Sequence, residues 1–479
     1  MGSRSERRNN QGVSSDERTI PVRQAAFDLL TTHIPRAEFP ARVAVHSNIT
    51  DYLVRGGWGR QKSIWRLSKS TNPGGINMRF RYLFPTAALL ASVVGSPASA
   101  AEDVIKIGIL TDQNGTYAYV AGRGTIEGAN LAVEDFGGKV NGKRIEVVTG
   151  DDQNKPDIAA GIARKWIDVD GVNVILAGGG TAATIAALNV AKEKKRTMLV
   201  VGAGSSDITG KLCSPYSTHW SFDTYGLAST LGKAVVETGG KIWFFIAADL
   251  AFGQSFVRDT TRFIEAGGGN VVGSVKHPFG TADFASFLLT AQTSKASVVA
   301  LANAGGDTVK AIKQANEFGI TRGGQRLVGL LVFVNDIQAL GLNTAQGTSG
   351  AGSFYHNLND ETKAWTKRYM ERFPGNNLPN MNHAAAYAAT KHYLKTIAAT
   401  KTEDADKVGE KMRELPVNDF YNKNIKIRRD GRVLQDMMLW KAKSPAESKD
   451  PLDLLTIEKT VPGAQAFRPE SEGDCPLVK

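Results

Sequence analysis

The residues that most invite chemistry in this sequence are two glycine-rich turns, Gly178-Gly179-Gly180-Thr181-Ala182-Ala183 and Ala203-Gly204-Ser205-Ser206. Each follows an apolar run and opens a helical pattern. Backbone N–H groups at such a helix start face outward with no side chain to block a ligand, which suits an anion. Thr181, Ser205 and Ser206 add hydroxyls. A plainer reading leaves Thr181, Ser205, Ser206 and Asp207 as helix caps only. A further loop, Asn114-Gly115-Thr116-Tyr117, offers Tyr117 as a pocket wall, and Arg123 beyond it is either a cation for the ligand or a solvated side chain.

Catalytic chemistry finds less support. The chain has 7 His and 2 Cys, with no His-Glu-x-x-His and no Cys-x-x-Cys, so no metal-ligand spacing is visible. Gly204 to Leu212 resembles a phosphate loop until counted: five residues separate its glycines, and Leu212 follows Lys211 where Ser or Thr is needed. Gly122-Arg123-Gly124 lacks the third glycine of a dinucleotide fingerprint, and there is no Gly-x-Ser-x-Gly elbow. The chain is expected to bind rather than to catalyse, and to need no cofactor or metal.

The elements that would position these turns alternate. Asp103–Thr111 reads as a strand, Thr125–Phe136 as a helix and Arg144–Thr149 as a strand. Helix Asp157–Val169, strand Val174–Ala177, helix Ala182–Glu193 and strand Thr197–Val201 follow. After Trp220 a second series begins: helix Gly226–Thr238, strand Ile242–Ala247, helix Gly253–Ala266, strand Gly269–Lys276, helix Ala282–Ser294, strand Val298–Ala302, helix Asp307–Phe318 and strand Leu327–Phe333. Two α/β lobes, each a doubly wound parallel sheet, account for this alternation. Helices Glu361–Phe373 and Asn382–Thr400 need a sheet to cover, and Ile425–Arg428, Asp430-Gly431, Val433–Trp440 reads as an antiparallel hairpin.

A different signal precedes all of this. Met78-Arg79-Phe80-Arg81, an apolar run from Leu83 to Val94, and Ala98-Ser99-Ala100 form the three regions of a secretory signal peptide over residues 78–100. Residues 1–77 show no sustained period and read as an upstream extension ahead of a start at Met78. The whole chain carries +11, but residues 1–100 hold 14 Lys+Arg and 6 Asp+Glu, leaving 44 against 41, or +3, for the rest. The basic pI of about 9.4 therefore does not argue for nucleic acid as a partner. In an exported chain the two cysteines, Cys213 and Cys475, suggest one disulfide stapling the C-terminal tail 456–479 to the first lobe; two unrelated buried thiols are the other reading.

An ordered set of segments carries a family resemblance. Ile107-Gly108-Ile109-Leu110-Thr111-Asp112, Gly115-Thr116-Tyr117, Gly128 to Asp135, Val140-Asn141-Gly142-Lys143 and Asp151 to Pro156 open the series. It continues through Ala203 to Gly210, Asp249-Leu250-Ala251-Phe252-Gly253, Asp283-Phe284 and Asp430-Gly431. Over residues 103–479 the chain resembles periplasmic solute-binding proteins of the leucine/isoleucine/valine-binding type. The resemblance implies a type I periplasmic-binding fold, two lobes joined by three hinge crossings: 103–222 with 354–424 as lobe 1, and 223–353 with 425–455 as lobe 2. It implies a periplasmic monomer that captures a small-molecule ligand and presents it to a membrane ABC permease and its ATPase. A ligand-sensing module of the same fold, feeding a receptor or regulator, is the alternative.

At matching positions the resemblance implies that Thr181, Ala182, Ala203 and Ser205 hold the ligand carboxylate. Tyr225, Phe252 and Phe333 face it from the second lobe, Phe333 being equally readable as core. One departure bears on the ligand. Where amino-acid binders carry an acidic partner for the ligand ammonium, this chain reads Val328-Gly329-Leu330-Leu331-Val332-Phe333, with no carboxylate before Asp336. A buried ammonium without a partner is costly. The expectation is an aromatic or other organic carboxylate in preference to a plain α-amino acid.

Overall fold

The computed structural model describes residues 103–375 and 377–478. The expected upstream extension and signal peptide lie outside the described residues.

Six strands build the first sheet: β1 (Val104–Thr111), β2 (Lys139–Val140), β3 (Lys143–Asp151), β4 (Val174–Ala177), β5 (Thr197–Val200) and β6 (Ser217–His219), in the order β2-β3-β1-β4-β5-β6. All pairings are parallel except the short β2–β3 hairpin. The central strands β4 and β5 are buried along their whole length, as strands covered on both faces by helices must be. The second lobe holds β7 (Ile242–Ala248), β8 (Asn270–His277), β9 (Val298–Ala302) and β10 (Arg326–Gly329) in a parallel sheet of order β10-β9-β7-β8. A separate antiparallel sheet holds β11 (Ser349–Gly352), β12 (Met437–Ala442) and β13 (Leu455–Val461). Two parallel-sheet lobes are thus present, as the alternation of strands and helices implies. Helices Asp360–Arg372 and Met381–Thr400 return to the first lobe, where Ala385, Ala389 and Leu394 join its core.

Two boundaries differ from expectation. Val433 to Trp440 is not one strand: Ile427 bridges Val433 and His219 bridges Arg432 within the first lobe, while Met437–Ala442 pairs with β11 and β13 in the second. Residues 434–436 are thus the third crossing, so 425–433 belongs to lobe 1, and lobe 2 runs on to Val461. An apolar alternation continued across the gap because Val433 and Met437 are each fully buried, in different cores. Likewise 456–461 is strand and not tail; the tail proper begins after it.

The crossings are tied by Arg432, which is 0% exposed. Its guanidinium donates to the carbonyls of Trp220 (3.0 Å) and Phe222 (3.3 Å) and approaches Asp223 Oδ2 (3.5 Å). The Phe467 ring of the tail lies over it, 3.9 Å from Cζ to the centroid. Burial lowers its pKa to about 10, still charged at neutral pH.

Candidate functional site

Two strand ends in the first lobe create the polar wall of the cleft. β4 ends at Ala177, three glycines follow, and the helix Thr181–Glu193 starts without a side-chain cap. Its first-turn N–H groups have no acceptor within the helix. β5 ends at Val200, and the next turn is drawn against the first by a hydrogen bond from Gly204 N–H to Thr181 Oγ1 (3.1 Å). The approach excludes side chains: a Cβ on Gly202 would lie 2.1 Å from the Gly178 carbonyl oxygen, and one on Gly204 2.7 Å from the Phe252 ring. Asp112 shapes the first loop by accepting from Gly115 N–H (2.7 Å) and Tyr117 N–H (3.0 Å). Asp152 stands buried behind Gly179, and burial lifts its pKa to about 6.

The second lobe supplies apolar side chains. Leu250 and Phe252 come from the start of the helix Ala251–Ala266, Ala304 follows β9, and Leu331 and Phe333 follow β10. Phe222, from the first crossing, meets Phe333 edge-on at 6.1 Å. Between the walls lies about 540 Å³ not filled by atoms, mouth included, of which about 40 Å³ can take the centre of a water molecule. The lobes are therefore close together. Among the described residues, no Asp, Glu, Lys, Arg or His lines this cavity.

Bonds across the cleft hold that arrangement. Tyr119 Oη of the first lobe donates to Asp336 of the second, whose other oxygen accepts from Phe333 N–H (2.8 Å). Burial raises the Asp336 pKa to about 7. Asn380 Nδ2 donates to Val120 O (3.0 Å) and Asn335 Oδ1 (2.7 Å). Further along, Ser206 Oγ donates to Asp259 (2.7 Å), and Arg258 donates to Ser206 Oγ (2.9 Å).

The structure brings Thr181, Ala182, Tyr117, Phe252 and Phe333 together on the cavity. Three other expected site residues stand elsewhere. Ser205 Oγ is hydrogen-bonded to Ser255 Oγ (2.8 Å) and caps Asp207 N–H (3.2 Å), so it joins the lobes instead of facing the cavity. Ala203 is buried and turns its carbonyl to His219 Nε2 (2.7 Å). Tyr225 packs on Phe263 at 5.0 Å, with the Arg262 guanidinium over its ring. Arg123 is largely exposed, pairs with Glu127 (3.4 Å) and overlies Phe373. Asn154, Phe222, Leu250, Ala304, Leu331 and Asn382 also line the cavity and were missed. Asn154 lay within a quoted segment, but Asn382 had no local signal: it stands in the first turn of the helix Met381–Thr400, about 200 residues from the glycine turns. Cys213 and Cys475 form a disulfide with Cα atoms 5.7 Å apart. No group of side chains suited to a metal ion occurs among the described residues.

A family model described as periplasmic binding protein matches residues 104–449. A solved periplasmic binding protein from Burkholderia mallei is 45% identical, covers 79% of this chain and 100% of its own, and superposes with a TM-score of 0.76. A branched chain amino acid ABC transporter periplasmic ligand-binding protein from Burkholderia xenovorans LB400 is 34% identical, with 78% and 100% covered and a TM-score of 0.70. Among curated proteins, Leu/Ile/Val-binding protein homolog 6 of Brucella melitensis is 27% identical over 262 residues, 54% of this chain; the match spans 66% of that relative, just under two thirds of its length.

Proposed function

This chain belongs to the periplasmic binding protein family, and on that premise we propose that it captures a small organic carboxylate between its lobes and delivers it to a membrane ABC importer. The observation that carries the ligand class is the lining itself: an open helix N-terminus behind three glycines, apolar and aromatic walls, and no charged side chain. A carboxylate is neutralised there by oriented N–H groups, each charge-assisted bond contributing about 1.5–3 kcal/mol. An α-amino acid would bring an ammonium with no carboxylate on the lining to meet it. Thr181, Ala182 and the adjoining glycines hold the carboxylate in this reading, and Tyr117, Phe252 and Phe333 enclose the body. The working form is a periplasmic monomer, exported by means of residues 78–100, whose partners are the ligand, a permease and its ATPase.

Calorimetry on pairs that differ only in charge, such as benzoate against benzamide and isovalerate against isovaleramide, tests this. The acid of at least one pair is expected to bind, with its amide at least about 100-fold weaker, the loss of two such bonds. Binding of L-leucine alone would overturn the reading.

A further inference from the structure

Asn382 is 2% exposed and lines the cavity, yet its Oδ1 has no hydrogen-bond partner among the described residues. Its orientation is determined by its neighbours. Nδ2 donates to Val120 O (3.3 Å), a carbonyl that can only accept, so exchanging the amide atoms would set oxygen against oxygen. Asn380, two residues earlier, donates to the same carbonyl (3.0 Å) and accepts from the Asn382 N–H (2.9 Å), which seats the residue at the helix start. The cleft therefore carries a buried acceptor that lacks a donor, and a buried polar group left so is costly. No donor among the described residues is hydrogen-bonded to it.

We infer that Asn382 is a specificity-determining residue, whose Oδ1 accepts a hydrogen bond from a neutral hydroxyl on the ligand body, so that the preferred substrates are hydroxylated carboxylates. The donor is neutral because a cationic one would again stand in a cavity without a counter-charge. This rests on the carboxylate reading above and narrows it. A ligand without the hydroxyl leaves Oδ1 unmet, and a site built to receive a polar group discriminates against its absence more strongly than an apolar wall rejects a missing methylene.

The test is calorimetry on the full-length chain with benzoate, its 2-, 3- and 4-hydroxy isomers, isovalerate, 2-hydroxyisovalerate and L-leucine. At least one hydroxy acid is expected to bind about 5-fold or more tighter than its parent acid. In Asn382→Leu, which keeps the branched shape and leaves Asn380 to satisfy Val120 O, that ratio is expected to fall to about one. Asn382→Ser, which retains an oxygen, should recover part of the ratio. Parent acids that bind as well as every hydroxy acid would overturn this inference and leave the carboxylate reading standing. A ratio unchanged in Asn382→Leu would do the same. Binding of L-leucine with no acid bound would overturn both. If the leucine variant does not fold, the comparison on the unaltered protein together with Asn382→Ser carries the test.

Discussion

On its first-lobe side the cleft offers backbone, at glycines 178–180, 202 and 204 and the open end of the helix Thr181–Glu193, beside the side chains of Tyr117, Asn154, Thr181 and Asn382. On its second-lobe side it is side chain, with Leu250, Phe252, Ala304, Leu331 and Phe333. The walls exert different kinds of control. Backbone N–H groups recognise charge and tolerate no crowding, because the dipoles are useful only where a ligand atom comes within hydrogen-bond distance. Apolar rings recognise volume and flatness, adapt by small rotations, and contribute roughly in proportion to the area they cover. Alterations to the glycine turns should therefore act nearly all-or-none on every ligand, and alterations to the second wall should act by degree and by ligand shape.

The largest effect is expected at Gly202. A Cβ there, 2.1 Å from the Gly178 carbonyl oxygen, forces the two turns apart. Gly202→Ala should weaken every carboxylate by about 100-fold or more, the equivalent of two charge-assisted bonds. Calorimetry beside a circular-dichroism melt separates this from unfolding, and unchanged affinity would refute the backbone wall. On the opposite wall, Phe252→Ala should cost about 10-fold for an aromatic acid, the scale of about 1.4 kcal/mol for lost ring contact, and less for an aliphatic one. Equal losses for both ligand types would erase the proposed division of labour.

A smaller effect, on pH, is expected at the Tyr119–Asp336 bond that joins the walls. Burial holds Asp336 protonated up to about pH 7, against an ordinary value of 3.8. A carboxyl whose folded pKa is raised binds its proton more tightly when folded. Its contribution to stability is complete below about pH 4 and declines as pH rises through about 7. Buried His356, His383 and His392, with pKa values lowered to about 4, 3 and 4, act in the opposite sense, losing stability as pH falls below 6.5. The difference between wild type and Asp336→Asn isolates the carboxyl: the variant should gain relative stability from pH 4.5 to pH 8 in thermal melts. A pH-independent difference would remove Asp336 as a titrating group.

Least affected in ligand affinity should be the features away from both walls. Cys213→Ser with Cys475→Ser opens a disulfide spanning 262 residues and should cost about 2–4 kcal/mol in denaturant unfolding. Affinity should stay within about 3-fold, since neither residue lines the cavity and the Arg432–Phe467 contact still holds the tail. Ser205→Ala should likewise change affinity by no more than about 3-fold, because its hydroxyl serves Ser255. A 100-fold loss would return Ser205 to the ligand.

Much of this protein was legible from local pattern. Apolar runs and alternation placed β1, β4, β5, β7 and β9 within about two residues, since a parallel strand buried on both faces writes its burial directly into consecutive side chains. The Gly178–Ala182 turn was legible because a strand end, glycines and a helix start are all sequence-local. Which hydroxyls face the ligand was not. Thr181 and Ser205 follow strands in the same manner, yet Thr181 lines the cavity and Ser205 turns to Ser255, fifty residues away on the other lobe. The third crossing was hidden because Val433 and Met437 satisfy one alternation while packing into two cores. Asn382 and Phe222 were invisible for the same physical reason: periodicity reports that a residue is buried, whereas the cavity is created by elements far apart in sequence, and only their packing decides which buried atoms face each other and which are left facing space.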